Sequence, residues 1–135
     1  MSEAVVDALN EVRSPCVQTL GGYVTSFNGD DGETTMSFEA TPAFCHSEII
    51  VQGGFITGML DAAMAVCVIG LKGVGTAVPT LELKVSFISP GNPGTLMASA
   101  RPVHLGKSTA FLSAELHQAG RLVATATSTA KYFKR

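Results

Sequence analysis

The sequence predicts an α+β domain in which one long central helix is wrapped by an antiparallel sheet of five or six strands. Three observations predict it. Only the segment from Phe55 to Leu71 is long and apolar on nearly every side, the chain from Leu81 onward changes to a period of two, and Gly, Asn and Pro clusters punctuate that second half. A helix laid on a sheet buries one face of each, which is the layered arrangement that a chain of this size can fill. No repeat, low-complexity tract or linker divides it, so residues 1–135 read as one domain with 1–14 as an N-terminal helical arm.

Residues 3–13 can form a short amphipathic helix with Val5, Val6, Leu9 and Val12 on one side, and Pro15 is expected to stop it. Tyr23 to Phe27 and Thr34 to Ala40 are strand-like runs around Asn28-Gly-Asp-Asp-Gly32, whose residues tolerate the positive φ of a hairpin turn. A Pro-containing loop from Thr41 to Val51 leads to Gln52-Gly53-Gly54 and the long helix, which ends in Gly70, Gly73 and Gly75. Leu81, Leu83, Val85 and Phe87 then alternate with Glu82, Lys84 and Ser86, predicting a strand with one buried and one wet face. Pro90-Gly-Asn-Pro-Gly94 is a strong turn signal, and Thr95 to Leu105, Ala110 to Gln118 and Arg121 to Phe133 complete an antiparallel meander.

Composition narrows the function. Hydrophobic residues make up 46% of the chain and charged ones only 15%, against roughly 25% charged in typical soluble proteins, which points to surface buried between subunits. A net charge of -2 with scattered Lys and Arg offers nothing to nucleic acid. The three cysteines, Cys16, Cys45 and Cys67, are odd in number and form no CxxC pair. Free thiols in a reducing cytoplasm are expected, without metal or redox cofactor. The N-terminus lacks the basic start and apolar core of a secretion signal, and Asp61 near the centre of the apolar segment argues for a buried helix rather than a membrane span.

Asp61 is also the first candidate for chemistry, because a carboxylate inside an apolar helix is expensive unless it is paired or used. The glycines Gly53 and Gly54 give it context. At the start of a helix, unpaired N–H groups form a donor-rich, positive cup that can hold a carbonyl oxygen as it gains charge. Gly53 and Asp61 are eight residues apart, so roughly 12 Å of helix separates them. One reacting group cannot easily touch both within a chain. Two such helices running antiparallel across a two-fold axis would bring the glycine end of each to the aspartate of the other.

The segments Gln52-Gly-Gly-Phe-Ile-Thr-Gly-Met-Leu-Asp61 and Thr80-Leu-Glu-Leu-Lys-Val-Ser-Phe-Ile-Ser-Pro90 resemble the hotdog-fold acyl-CoA thioesterases of the phenylacetate-pathway, PaaI-like type. They are similar also to 4-hydroxybenzoyl-CoA thioesterases that carry their carboxylate on the central helix. The likeness covers roughly residues 15 to 133. It implies that Asp61 is nucleophile or general base, that the Gly53 N–H is the oxyanion donor and that Gly54 helps to begin the helix. It further implies that His46 and Gln52 position the thioester or the water, that Thr80 from the partner chain assists the water, and that Lys107 and Ser108 reach the CoA phosphates. A homodimer assembled to a homotetramer is implied too, with an acyl-CoA as substrate and no separate cofactor. In the family a His stands at the place of Gln52, and an Asn or Gln at that of His46. The two side chains are thus exchanged here.

Other signals point elsewhere less well. Gly106-Lys-Ser-Thr109 resembles the end of a phosphate-binding loop, but Arg101 stands where its first glycine is needed. Gly70-Leu-Lys-Gly73-Val-Gly75 follows a helix rather than opening one, which disfavours a dinucleotide site. His104 and His117 have no second ligand at metal-site spacing. The competing functional reading is a non-catalytic acyl-CoA binding module, favoured by the missing motif histidine. A hotdog dehydratase would need a His-bearing helix, which the sequence lacks.

Overall fold

Ser2 starts the first helix: its side-chain oxygen accepts the Val5 N–H at 3.4 Å, the cap that the unsatisfied first turn requires. The computed structural model describes residues 2–135, and in it this helix, α1, runs from Glu3 to Glu11 with Leu9 buried. Val12, expected on the packed side, lies past the helix end and is 53% exposed. Pro15 does more than stop α1. It stands at the start of a second short helix, α2 (Pro15–Thr19), where the missing N–H is no loss and the fixed φ already suits a helix.

Strands β1 (Tyr23–Phe27) and β2 (Thr34–Ala40) pair as the expected hairpin. Its turn is held by Asn28, whose side-chain oxygen accepts the Asp30 N–H at 2.8 Å, and is completed by Gly32 at φ +79°. The segment from Thr41 to Val51 is more ordered than a plain loop. A 3-10 turn (Pro42–Phe44) leads into the small paired strands β3 (Cys45–Ser47) and β4 (Ile50–Val51). Phe44 anchors it by stacking on Phe55 at 4.3 Å between ring centroids.

Helix α3 (Gly53–Lys72) follows. By length and composition it could cross a membrane. Instead Ile56, Met59, Leu60, Ala63, Met64, Cys67 and Val68 face the sheet with 0–2% exposure. Coverage of its other side is partial: α1, with half-buried Val5 and Val6, packs against it, and Val66 and Ile69 of α3 itself stay only partly buried. At its C-terminal end a Cβ on Gly70 would lie 2.4 Å from the Phe27 ring, and Gly73 at φ +108° ends the helix.

Past the short β5 (Thr76–Ala77) come β6 (Thr80–Phe87), β7 (Gly94–Leu105), β8 (Thr109–Gln118) and β9 (Arg121–Lys131). The main sheet is antiparallel with order β1-β2-β7-β8-β9-β6. Ala100, Ala114 and Ala126 align in one row across β7, β8 and β9 and are all buried, so α3 can approach the sheet closely there. The last strand is shorter than expected, because Phe133–Lys134 leaves the sheet as β10 and pairs with β5. β6 also departs from its predicted face: it is an edge strand, and Leu81 and Phe87 are 61% and 56% exposed. Only Leu83 and Val85, at its middle, are packed against the core.

Two outcomes follow from this packing. Gly70→Ala should lower unfolding free energy by about 1–3 kcal/mol in denaturant titration, because the added methyl meets a buried ring. Burial pushes the Cys67 thiol up to about 11, above the roughly 8.5 of an unfolded cysteine. The unfolded chain therefore loses this proton first, and stability should be flat in this respect at neutral pH and fall as pH rises from about 9 toward 11. Stability measured against pH for wild type and Cys67→Ala checks it, the variant lacking that decline.

Candidate active site

Crowding shapes the start of α3. Gln52 is its N-cap, and the side-chain oxygen accepts the Gly54 N–H at 2.8 Å. A Cβ on residue 54 would lie 2.6 Å from that oxygen, and a Cβ on residue 53 would lie 3.1 Å from the Phe87 ring. Neither glycine has a positive φ. Close approach rather than turn geometry therefore favours a glycine at both places. Gln52 satisfies one of the four N–H groups that a helix start leaves open. That leaves the Gly53 N–H available to the cleft that Gly53 lines, a hollow of about 340 Å³ walled by His46, Ile56, Phe87, Ile88 and Gly91.

Hydrogen bonds from distant strands hold these walls. Arg121 donates to the Ser89 hydroxyl and the Pro90 carbonyl, both at 2.6 Å. Gln118 brackets Asn92, accepting its N–H at 2.9 Å and donating to its carbonyl at 2.8 Å. Asn92 in turn donates to the Ile49 carbonyl at 2.7 Å, and Val51 N–H donates to Gly91 at 2.9 Å. The segment that leads into α3 is thus fastened to the β6–β7 loop.

Asp61 lies two turns further along α3 and is half-buried. Its Oδ1 accepts the Thr80 hydroxyl at 2.7 Å, while Oδ2 has no protein partner among the described residues and reaches solvent. A carboxylate held by one oxygen with the other free can accept a proton from water or attack a carbonyl carbon. Thr80 makes this bond within its own chain, whereas the family likeness had placed the threonine on the partner. Gly73 and Gly75, at φ +108° and +99°, turn the chain back so that β6 begins beside the middle of α3.

The candidate residues therefore fall into two groups. His46, Gln52, Gly53 and Gly54 gather at the helix start, with His46 exposed on β3 and Gln52 engaged as a cap. Asp61 and Thr80 form the second group. Lys107 and Ser108 lie exposed in the β7–β8 turn, which Tyr132 fastens by donating its N–H to Ser108 at 2.9 Å and its hydroxyl to Gly106. That turn sits at the Thr80 end of the sheet, since Ala110, Ala130 and Thr80 share one cross-strand row.

Phe87, Ile88, Gln118 and Arg121 shape the cleft but were not singled out in sequence. Phe87 read as an ordinary core position, and nothing local marks the others. Among the described residues no three or more His, Cys, Asp or Glu side chains gather as a metal site.

Comparison with known proteins bears on what such a site does. A model of the thioesterase superfamily matches residues 50–125. Among solved structures, a phenylacetic acid degradation-related protein from Ralstonia eutropha JMP134 is 35% identical, with a TM-score of 0.84 over 90% of this chain and 92% of that one. The PaaI protein from the E. coli phenylacetic acid degradation operon is 24% identical, with a TM-score of 0.82 over 96% and 91% of the two chains. A thioesterase protein with coenzyme A from Streptococcus pneumoniae TIGR4 is 21% identical, with a TM-score of 0.74 over 84% and 87%. The latter two likenesses concern the fold alone. No curated protein matches the chain significantly.

Removing the cap by Gln52→Ala should cost about 1 kcal/mol of stability, and Gly54→Ala a similar amount by expelling the amide. His46→Ala, at an exposed position, should leave stability unchanged. Thermal and denaturant unfolding of the three variants distinguishes these outcomes. Thioester hydrolysis at the wild-type rate in both His46→Ala and Gln52→Ala would exclude them from catalysis.

Proposed function

The chain belongs to the thioesterase superfamily, and from that premise we propose that it hydrolyses an acyl-CoA thioester at a site shared by two subunits. It is a PaaI-like thioester hydrolase of hotdog fold. The observation that carries the finer reading is the separation of its parts. Asp61 is held by Thr80 at 2.7 Å, yet the oxyanion donor at Gly53 lies roughly 12 Å away along the same helix.

In this reading the carboxylate of one chain works with the Gly53 N–H of its partner. The thioester carbonyl oxygen accepts that N–H as it gains negative charge, a contact worth on the order of 3 kcal/mol in the transition state. Asp61 takes a proton from water as the water oxygen bonds to the carbonyl carbon, or attacks that carbon itself to give an anhydride that water then opens. The C–S bond breaks and the pair of electrons leaves on sulfur. A thiol with a pKa of about 8.5 needs little protonation to depart, so no Ser-His-Asp triad is required.

Two further observations support a paired chain. β6 has one neighbour in the sheet, and Leu81, Phe87 and Ile88 are 56–61% exposed beside it, an apolar edge that a second copy would cover. Coenzyme A accompanies one structure of the same fold, and Lys107 and Ser108 are the groups we assign to its phosphates. Pairing of such dimers gives the tetramer expected from the family, and free thiols at Cys16, Cys45 and Cys67 suit the cytoplasm.

Thiol release from a panel of acyl-CoAs should be lost by at least about 100-fold in Asp61→Ala and fall about tenfold in Thr80→Val. Acyl-CoA binding without turnover in the wild type would overturn the hydrolytic reading. Mixing subunits tests the shared site. Gly53→Val and Asp61→Ala should each be inactive alone, and an equal mixture refolded together should regain about a quarter of wild-type activity, because half the dimers carry one intact site of two. No recovery would place the whole site within one chain.

A further inference from the structure

The cleft at Gly53 is apolar behind its rim. Ile50, Val51, Ile56, Phe87, Ile88 and Val123 line it, and among the described residues His46 is the one ionisable side chain on it. Its inner end is blind. A Cβ on Gly91 would lie 3.0 Å from Ile56, 3.4 Å from Leu96 and 3.6 Å from Val123, and these three are 0–2% exposed. A thioester carbonyl held by the Gly53 N–H has two more substituents to place. Lys107 lies at the Thr80 end of the sheet, so in a shared site the sulfur and its coenzyme run toward the partner subunit. The acyl group is then left to this cleft.

Two of its walls stand outside the main sheet: the β3–β4 hairpin and the β6–β7 loop. The loop carries Pro90 and Pro93, which lack N–H groups to fold it from within. Its backbone is held from without, by the end of the β8–β9 hairpin. Ala119 and Gly120, at φ +51° and +78°, make the two-residue turn there, and Gln118 and Arg121 are the cross-strand pair beside it. Arg121 donates to the Pro90 carbonyl, Val51 N–H to that of Gly91 and Gln118 to that of Asn92, so three successive carbonyls are each held. Asn92 passes the restraint on. Its backbone is bracketed by Gln118 while its side chain donates to Ile49, at the tip of the other wall. The amide of Gln118 therefore ties both walls together with Asn92 between them, although neither residue lines the cleft.

From this we infer that Gln118, acting through Asn92, is a positioning residue that sets the width of the acyl site, and that the site selects acyl chains short enough to end against Gly91. The identity of the ligand rests on the function proposed above. Gln118 and Asn92 are both half-buried, so the backbone groups they release can turn to water when the clasp is removed. The fold then loses little. What is lost is the fixed spacing of the walls: a short chain is gripped less well, and a long one finds the blind end open.

Calorimetric titration with hexanoyl-CoA and tetradecanoyl-CoA, each below its micellar concentration, tests the inference in the Asp61→Ala protein, which leaves the thioester intact. Hexanoyl-CoA should bind the more tightly. Gln118→Met, which keeps the bulk and removes both hydrogen bonds, should lower the ratio of the two affinities about tenfold. Asn92→Ala should do the same, and the pair no more than either alone, because they break one relay. Gln118→Glu still accepts the Asn92 N–H and should give an intermediate ratio. Gly70→Ala, destabilised at the far end of α3, should leave the ratio unchanged. Tetradecanoyl-CoA bound as tightly as hexanoyl-CoA before the clasp is touched would overturn the proposal, as would binding of neither. So would a ratio that Gln118→Met leaves alone, or that Gly70→Ala lowers equally, since the clasp would then serve stability only. If the wild type releases no thiol while the ratios move as described, the hydrolytic reading falls and the acyl site stands. Thiol release with a ratio indifferent to Gln118→Met has the opposite meaning.

Discussion

One face of α3 lies against the sheet, and the position of every candidate functional group depends on that contact. Seven side chains on this face have 0–2% exposure, and burying each large one stabilises the fold by roughly 1.5–3 kcal/mol. Turning the helix by a single residue, about 100°, would withdraw most of them. Its rotation is therefore set by apolar burial, and the direction of Asp61 follows from it. The aligned alanines of β7, β8 and β9 contribute from the other side by letting the helix come close. With larger side chains in that row, α3 would stand further from the sheet and the bond between Thr80 and Asp61 would open.

Chemistry is distributed along this rigid rod. Backbone donors sit at its start, where two glycines leave room for a capping amide and an aromatic ring that a Cβ would crowd. The carboxylate sits two turns on, in contact with a strand that returns antiparallel to it. A hydrolytic site needs both kinds of group around one carbonyl, and a straight helix holds them apart. In the proposed pairing, symmetry between two chains would resolve this without bending the helix, and the exposed edge of β6 would be the surface it covers.

The proposed pairing would also account for the low charge content. Only 15% of the residues are charged, and the apolar side chains left exposed include Leu81, Phe87 and Ile88 along the β6 edge and its end. Polar hydrogen bonds are instead concentrated where backbone must be held. The pairing of Gln118 with Asn92 and of Arg121 with Ser89 and Pro90 braces the cleft from strands remote in sequence.

Local pattern by itself determined the central helix, the first hairpin, the β7–β9 meander and the standing of Asp61 as the one carboxylate inside an apolar helix, because periodicity and turn chemistry are properties of neighbouring residues. It also brought Gly53 and Asp61 forward as partners too far apart for one chain. Only the tertiary structure decided what non-local packing controls. Pro15 opens a helix as well as ending one, Phe133 pairs with β5 rather than prolonging β9, and the apolar face of β6 is left partly bare because that strand falls at the sheet edge. The same holds at the site. Thr80 reaches Asp61 in its own chain and Phe87 crowds Gly53, since these contacts depend on where β6 comes to rest, which no local spacing encodes, whereas the Gln52 cap on Gly54 is a contact between near neighbours.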